Sequence, residues 1–336
     1  MPTAEETIAH SGEFSLIEDL FHRQGRLPPS VRLGIGDDAA LLAGDGGGDW
    51  AAAVDTVIEG VHALPGRDPY HLGWKAVAVN VSDLAAMGAR PAHALLAAAL
   101  PGEMSRTRAG GLADGLHAAL EEWSVALVGG DTVATPGPLT LSLTLLGRLE
   151  GPAMRRDGAR PGDTVYVTGT LGDAAAGLAL LREPPGDWPA AYDWLAERHS
   201  RPRPPLAFGR ALSGVASAAI DISDGLIADL GHLAAASGVG IELDPEGIPL
   251  SAPMGEYAWA TGADPLSLAL SGGEDFELAF TAGEEAFEAL HRAKYGTDTR
   301  FTPIGRVVGE RPGEVFGEGL PARAGGYDHF PGGEGP

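Results

Sequence analysis

Cysteine is absent from this 336-residue chain. That single absence removes disulfides, thiolate metal sites, iron–sulfur clusters and cysteine nucleophiles. Lysine is nearly absent too, with only Lys75 and Lys294 present. No apolar run approaches the ~20 residues that a membrane-spanning helix needs; a typical one, Ala94 to Leu100, is far shorter. The opening stretch, Met1 to Gly12, is polar and acidic, unlike a secretory leader. Together these absences predict a soluble, cytoplasmic protein.

What is present begins with negative charge. The formal net charge is −23, and such a surface repels nucleic acid and anionic membrane, so neither is expected as a partner. Any anionic ligand meets the same repulsion unless arginine or a divalent cation neutralises it locally. Hydrophobic residues make up 44%, enough for a large buried core. The length suits two domains.

The pattern along the chain is mixed α/β (α+β). Helical spacing is expected in Glu13 to Gln24, and a long helix from Pro69 to about Met87 opens on proline. Ser105 is placed to cap a helix reaching Trp123. Strands are expected at Trp50 to Val57, Leu95 to Leu100, Val125 to Val128 and Leu139 to Leu146. A Gly-, Pro- and Arg-rich stretch, Gly151 to Gly162, then reads as a linker. Beyond it, strands are expected near 164–168, 218–222, 239–243, 276–280 and 301–308, with helices near 172–181, 206–212, 226–236, 253–260 and 284–292. The Gly-rich tail past Pro331 is expected to be mobile. The predicted division is residues 1–150 and 151–336, with no short-period repeat.

Carboxylates gather beside glycine and serine at element ends: Gly36-Asp37-Asp38, Gly130-Asp131, Asp221-Ile222-Ser223-Asp224-Gly225 and Gly273-Glu274-Asp275. Asp55 and Asp83 sit instead in apolar surroundings. Asp83 is the most informative, because a helix apolar on most sides is buried and a buried carboxylate needs a partner. Backbone, Asn80 or Ser82 is one kind of partner; a metal ion is another. For the remaining acids, turn formation, helix capping or a solvated loop is the alternative at every position. As a set they suit hard cations such as Mg²⁺, which takes carboxylates, waters and substrate phosphates. Gly34-Ile35-Gly36-Asp37-Asp38-Ala39 matches a dinucleotide fingerprint. Two aspartates facing a pyrophosphate, and a following segment too short for the required helix, argue against that reading. No Walker A or protein-kinase catalytic loop occurs.

Seven segments, in order, resemble the thiamine-monophosphate kinase family. They are Gly12-Glu13-Phe14-Ser15-Leu16-Ile17, Gly34 to Ala39, Lys75 to Ala89, Gly129-Gly130-Asp131-Thr132, Asp221 to Leu226, Ser271 to Leu278, and Gly326-Tyr327-Asp328-His329-Phe330. The resemblance implies the two-domain fold of the aminoimidazole ribonucleotide synthetase-like superfamily, with N-terminal domains paired in a homodimer and ATP near the interface. It implies that Asp38, Asp55, Asp83, Asp131, Asp221 and Asp224 hold several Mg²⁺ ions. It also implies that Gly130, Asp131, Arg156 and Ser223 contact ATP, and that His62, Glu274 and Tyr327 contact thiamine monophosphate. Apart from the family, His62 reads as a structural histidine, Tyr327 as a packed aromatic and Arg156 as a solvated cation.

The implied reaction is direct in-line transfer of the ATP γ-phosphoryl group, with no general base or covalent nucleophile. Two departures stand out. Ala53 and Val54 replace the hydroxyl residues usual before the aspartate matching Asp55, and Ala63 replaces the usual aromatic after His62. The rival readings are another ATP-using enzyme of the superfamily and a non-catalytic nucleotide sensor. The absence of cysteine disfavours the selenophosphate-forming and hydrogenase-maturation relatives.

Overall fold

The structure is a computed structural model that describes residues 13, 17–21, 27–45, 48–183, 188–320 and 326–327. It contains two six-stranded sheets. The first is built from β1 (Val31–Leu33), β2 (Ala40–Leu42), β3 (Trp50–Ile58), β4 (Ala89–Pro101), β5 (Ala126–Thr135) and β6 (Thr140–Leu149), in the order β1-β2-β3-β6-β4-β5. All neighbours are antiparallel except the parallel pair β4/β5. The second has the order β12-β9-β11-β7-β10-β8. Its strands are β7 (Thr164–Thr168), β8 (Ala218–Asp221), β9 (Gly240–Leu243), β10 (Leu278–Ala282), β11 (Phe301–Val308) and β12 (Val315–Phe316).

β6 alternates strictly between half-buried and buried residues, as a strand with one face on a core should. Its Leu141, Leu143 and Leu145 carry the buried face. Over that face lie α1 (Pro69–Ala86) and α2 (Arg106–Glu122). α1 starts where the sequence sets it: Asp68 accepts from Tyr70 N at 3.0 Å, and Pro69 occupies the first turn. α2 starts at Ser105, whose hydroxyl accepts from Arg108 N at 3.2 Å.

α1 is buried on nearly all sides because both halves of the molecule use it. Its Ala85 and Ala86 share a cluster with Leu278 of β10. Its Leu72, Ala76 and Val79 pack with Phe276 from the second half and Val57 of β3. The second sheet carries its own helices: α3 (Asp173–Arg182), α4 (Ala190–Ser200), α5 (Leu206–Leu212), α6 (Leu226–Ser237), α7 (Ala252–Thr261), α8 (Pro265–Ser271) and α9 (Phe287–Thr297).

The structure departs from the sequence reading in instructive places. β5 does not end at Val128 but runs through Gly129-Gly130-Asp131 to Thr135. Gly130 makes this possible: its φ is +153°, and a Cβ there would sit 1.9 Å from Leu96 O. The strand expected from Phe276 begins at Leu278 instead, because Glu274 and Phe276 adopt positive φ values of 69° and 50°. Helices α4 and α8 and the short strands β1, β2 and β12 carried too little pattern to be expected. Of the expected first helix, Ile17–Phe21 is helical; the Gly-rich tail lies outside the described residues. Among the described residues no helix is long and apolar enough to cross a membrane.

Candidate active site

Four carboxylates converge beneath α1. Asp38 comes from the loop before β2, Asp55 from the second half of β3, Asp83 from the last turn of α1 and Asp221 from the end of β8. Oxygens of Asp38, Asp83 and Asp221 all lie within 4.8 Å of one another. Asp55 and Asp83 share a side-chain hydrogen bond. Burial, then repulsion from Asp55, Asp221 and Asp38, pushes the Asp83 carboxyl well above the usual range. Burial and the Asp38 charge raise Asp221 to about 8. Asp38 and Asp55 are raised as well, mainly by burial. These groups cannot all ionise together without a cation. One oxygen, Asp38 Oδ2, is buried without a hydrogen-bond partner among the described residues. An all-oxygen donor set with an orphaned acceptor fits Mg²⁺ rather than a softer metal.

Arg156 is the local counter-charge. Its guanidinium pairs with Asp38, and its backbone N donates to Asp37 Oδ2 at 3.2 Å. Burial and Asp38 repulsion raise Asp37 to about 6.

The loop after β8 is fixed from below. Asp229 of α6 accepts from the backbone N of Ser223, Asp224 and Gly225 at 3.0, 3.2 and 3.1 Å. That loop in turn holds its neighbours: Glu274 N donates to Ser223 O at 2.7 Å, and Tyr327 N to Asp224 O at 3.0 Å. Gly273 permits the first approach, since a Cβ there would lie 2.5 Å from Ser223 O.

A cavity of about 690 Å³ joins these parts. Asp55, Asp83, Asp221, Ser223 and Asp224 line it together with His62, Glu274 and Tyr327, and Leu178, Leu268 and Phe276 add apolar wall. Ile58 N donates to His62 Nδ1 at 3.1 Å, so a neutral His62 carries its proton on Nε2. Lys75 and His199 hold Glu274 from behind, and Glu274 falls to about 2: burial opposes ionisation, but Lys75 and His199 outweigh it.

The expected residues therefore fall into two groups. Asp55, Asp83, Asp221, Asp224, Ser223, His62, Glu274 and Tyr327 line one cavity, and Asp38, with its partner Arg156, joins them through the carboxylate cluster without lining it. Gly130 and Asp131 do not line it. Strand register explains Asp131: it aligns with Ala97, Ser142 and Thr56, the outward-facing row, whereas Gly130 shares the next row with Leu96, the buried Leu143 and Asp55. Val54 also faces outward and is 63% exposed, while Ala53 packs in the core, and neither side chain carries an oxygen. Sequence reasoning missed Lys75, His199 and Asp229. A lysine inside an apolar helix was the available signal; the other two look like ordinary helix residues.

Comparison with known proteins bears on the same regions. The family described as "AIR synthase related protein, N-terminal domain" matches residues 36–149, and its C-terminal counterpart matches residues 160–318. The chain is 45% identical over 326 residues to the thiamine-monophosphate kinase of Salmonella typhimurium, covering 95% of this chain and 98% of that one. It is 44% identical over 325 residues to the enzyme of the same name from Escherichia coli K12, with the same coverage. The solved structure described as "AaThiL complexed with AMPPCP and TMP" superposes with a TM-score of 0.87 at 35% identity, covering 98% of this chain and 100% of that one.

Proposed function

Because this chain belongs to the thiamine-monophosphate kinase family, we propose that its cavity is where ATP and thiamine monophosphate meet. The chain catalyses ATP-dependent phosphorylation of thiamine monophosphate to the diphosphate. The observation that carries the site assignment is the continuity of one cavity from the carboxylate cluster to His62, Glu274 and Tyr327.

The chemistry follows from the charges. The acceptor is a phosphate monoester with a second pKa of about 6, so it is mostly dianionic at neutral pH and needs no general base. The obstacle is repulsion between two anions. Mg²⁺ bound among Asp38, Asp55, Asp83, Asp221 and Asp224 would supply the neutralisation that lets them approach in line. The chain's own groups do the rest. Arg156, held by Asp38, offers its guanidinium to ATP phosphate. Ser223, fixed through Asp229, offers a hydroxyl on the same side. His62 presents an N–H donor, and Glu274 an ionised acceptor, to thiamine monophosphate. Tyr327, its main chain tied to Asp224, closes the wall beside them. Ala63, in place of an aromatic, lines a neighbouring cavity of about 440 Å³ rather than this one.

Residues 1–150 act as the ATP/Mg²⁺-binding and dimerisation half, and 151–336 complete the site. A homodimer is supported by β5, an edge strand that presents Leu127, Val128 and Val133 to the outside. Gly130 and Asp131 lie on that strand and reach ATP and metal only in a site shared with a second chain.

The test is direct. The purified protein, with ATP, Mg²⁺ and thiamine monophosphate, forms thiamine diphosphate and ADP in equal amounts. ATP binding without acceptor-dependent ADP release would instead make it a nucleotide sensor.

A further inference from the structure

Lys75 has no role in the scheme above, and it does not line the larger cavity. Among the described residues it is the one lysine or arginine with exposure as low as 2%. A buried ammonium is costly unless its partners are good. Its partners are specific. Nζ donates to the main-chain O of His62 at 2.9 Å and to Glu274 Oε1 at 3.0 Å. Those residues come from opposite halves of the molecule, and both line the cavity. Behind them lies a second cavity of about 440 Å³, which Lys75 lines together with His62 and His199. Lys75, Glu274 and the two histidines thus form the partition between the two spaces.

Glu274 needs such a hold. Its φ of +69° is unfavourable for a residue with a Cβ. His199 Nδ1 touches Oε2 at 3.0 Å, without the alignment of a hydrogen bond. Burial and the nearby ammonium lower the His199 pKa, while Glu274 raises it.

The helix adds a second constraint. Lys75, Val79 and Asp83 stand at i, i+4 and i+8 on one face of α1, and Val79 and Asp83 line the larger cavity. The eight-residue interval spans about 12 Å at 1.5 Å per residue. One rigid helix therefore sets the distance from the carboxylate cluster to the two loops.

We propose that Lys75 is a positioning residue for the acceptor: its ammonium pins the His62 and Glu274 loops to α1, fixing their distance from the carboxylate cluster. This rests on the assignment of His62 and Glu274 to thiamine monophosphate. Lys75 does not touch the acceptor, so its removal misplaces one substrate and not the other.

The experiment is steady-state kinetics of K75M, K75R, E274Q and K75M/E274Q, varying thiamine monophosphate and MgATP separately. K75M raises the KM for thiamine monophosphate roughly tenfold to a hundredfold, the scale of a misplaced reactant, while the KM for ATP stays within about twofold. K75R recovers part of the loss. In the E274Q background the Lys75 effect is smaller than in the native one but persists through the His62 tether. If K75M alone does not fold, K75M/E274Q, which leaves no unpaired buried ion, is compared with E274Q for the same selective rise. No selective rise in either background, or equal rises for both substrates, overturns the inference. An E274Q enzyme with native KM for thiamine monophosphate refutes the Glu274 assignment, and the inference falls with it. A raised KM in E274Q beside a native K75M leaves that assignment standing and overturns the inference alone.

Discussion

Replacing Asp83 by asparagine should push activity and metal-free stability in opposite directions. Two ionised carboxylates within 4.8 Å of one another repel by about 3 kcal/mol or more at an effective dielectric of about 20. Asp83 faces Asp38, Asp55 and Asp221. D83N keeps the shape and removes a carboxyl that, without metal, must either carry a charge beside its neighbours or hold a proton the unfolded chain has lost. At pH 8, without metal, the variant is therefore more stable by about 1–3 kcal/mol, a rise in Tm of several degrees. The same deletion removes an attraction to bound Mg²⁺ of comparable or larger size. Losing about 3 kcal/mol of transition-state stabilisation lowers turnover roughly a hundredfold. The assays are differential scanning fluorimetry in EDTA at pH 8 and thiamine diphosphate formation at saturating Mg²⁺. A variant with lowered metal-free Tm, or with near-native turnover, would refute the idea of mutually repelling carboxylates gathered for a cation.

Chelation should give a matching pH signature. Asp221, raised to about 8, keeps its proton in the metal-free folded state while the unfolded chain has lost it, so stability falls as pH rises from about 4 to about 8. The metal-free Tm is lower at pH 8 than at pH 5.5, and Mg²⁺ restores more at pH 8; a flat or rising metal-free profile contradicts this. The loss is on the order of 5 kcal/mol for this group alone. Glu274, lowered to about 2, has the opposite sign: its stabilisation is present above about 4.3, the unfolded value, and lost as pH falls toward 2, outside that window. Val128→Asp on the exposed β5 edge should give a monomer in sedimentation with unchanged far-UV circular dichroism; an unchanged mass rules out pairing through β5. Leu143→Ala, at a fully buried position, should destabilise by about 2–5 kcal/mol in denaturant titration.

The sequence carried the elements whose causes are local. α1 was legible because proline, an N-terminal cap and an apolar stretch coincide, and β6 because leucines alternate with hydroxyl residues from Thr140 to Leu145. Asp83 stood out because a carboxylate in an apolar helix needs a partner. Less was visible where local pattern is weak or misleading. α4 follows a proline-rich break, α8 is a seven-residue helix opening on Pro265, and β5 passes through a Gly-Gly-Asp that reads as a turn. The positive φ values at Glu274 and Phe276 left no mark that would have delayed the start of β10.

By itself the sequence determined what kinds of chemistry were available. Without cysteine, and with acids beside glycines, hard-cation phosphate chemistry was favoured, and the ordered motifs named the family. Tertiary structure alone decided which acids meet. Asp38, Asp55, Asp83 and Asp221 come from four separate segments and converge because α1 is buried between both halves. It also decided that Asp131 faces the other side of the sheet, since strand register assigns faces by alternation. Lys75 became meaningful only through partners 13 and 199 residues away. A one-dimensional pattern shows which residues suit a buried face, but which charge pairs with which depends on distances that only the packed chain sets.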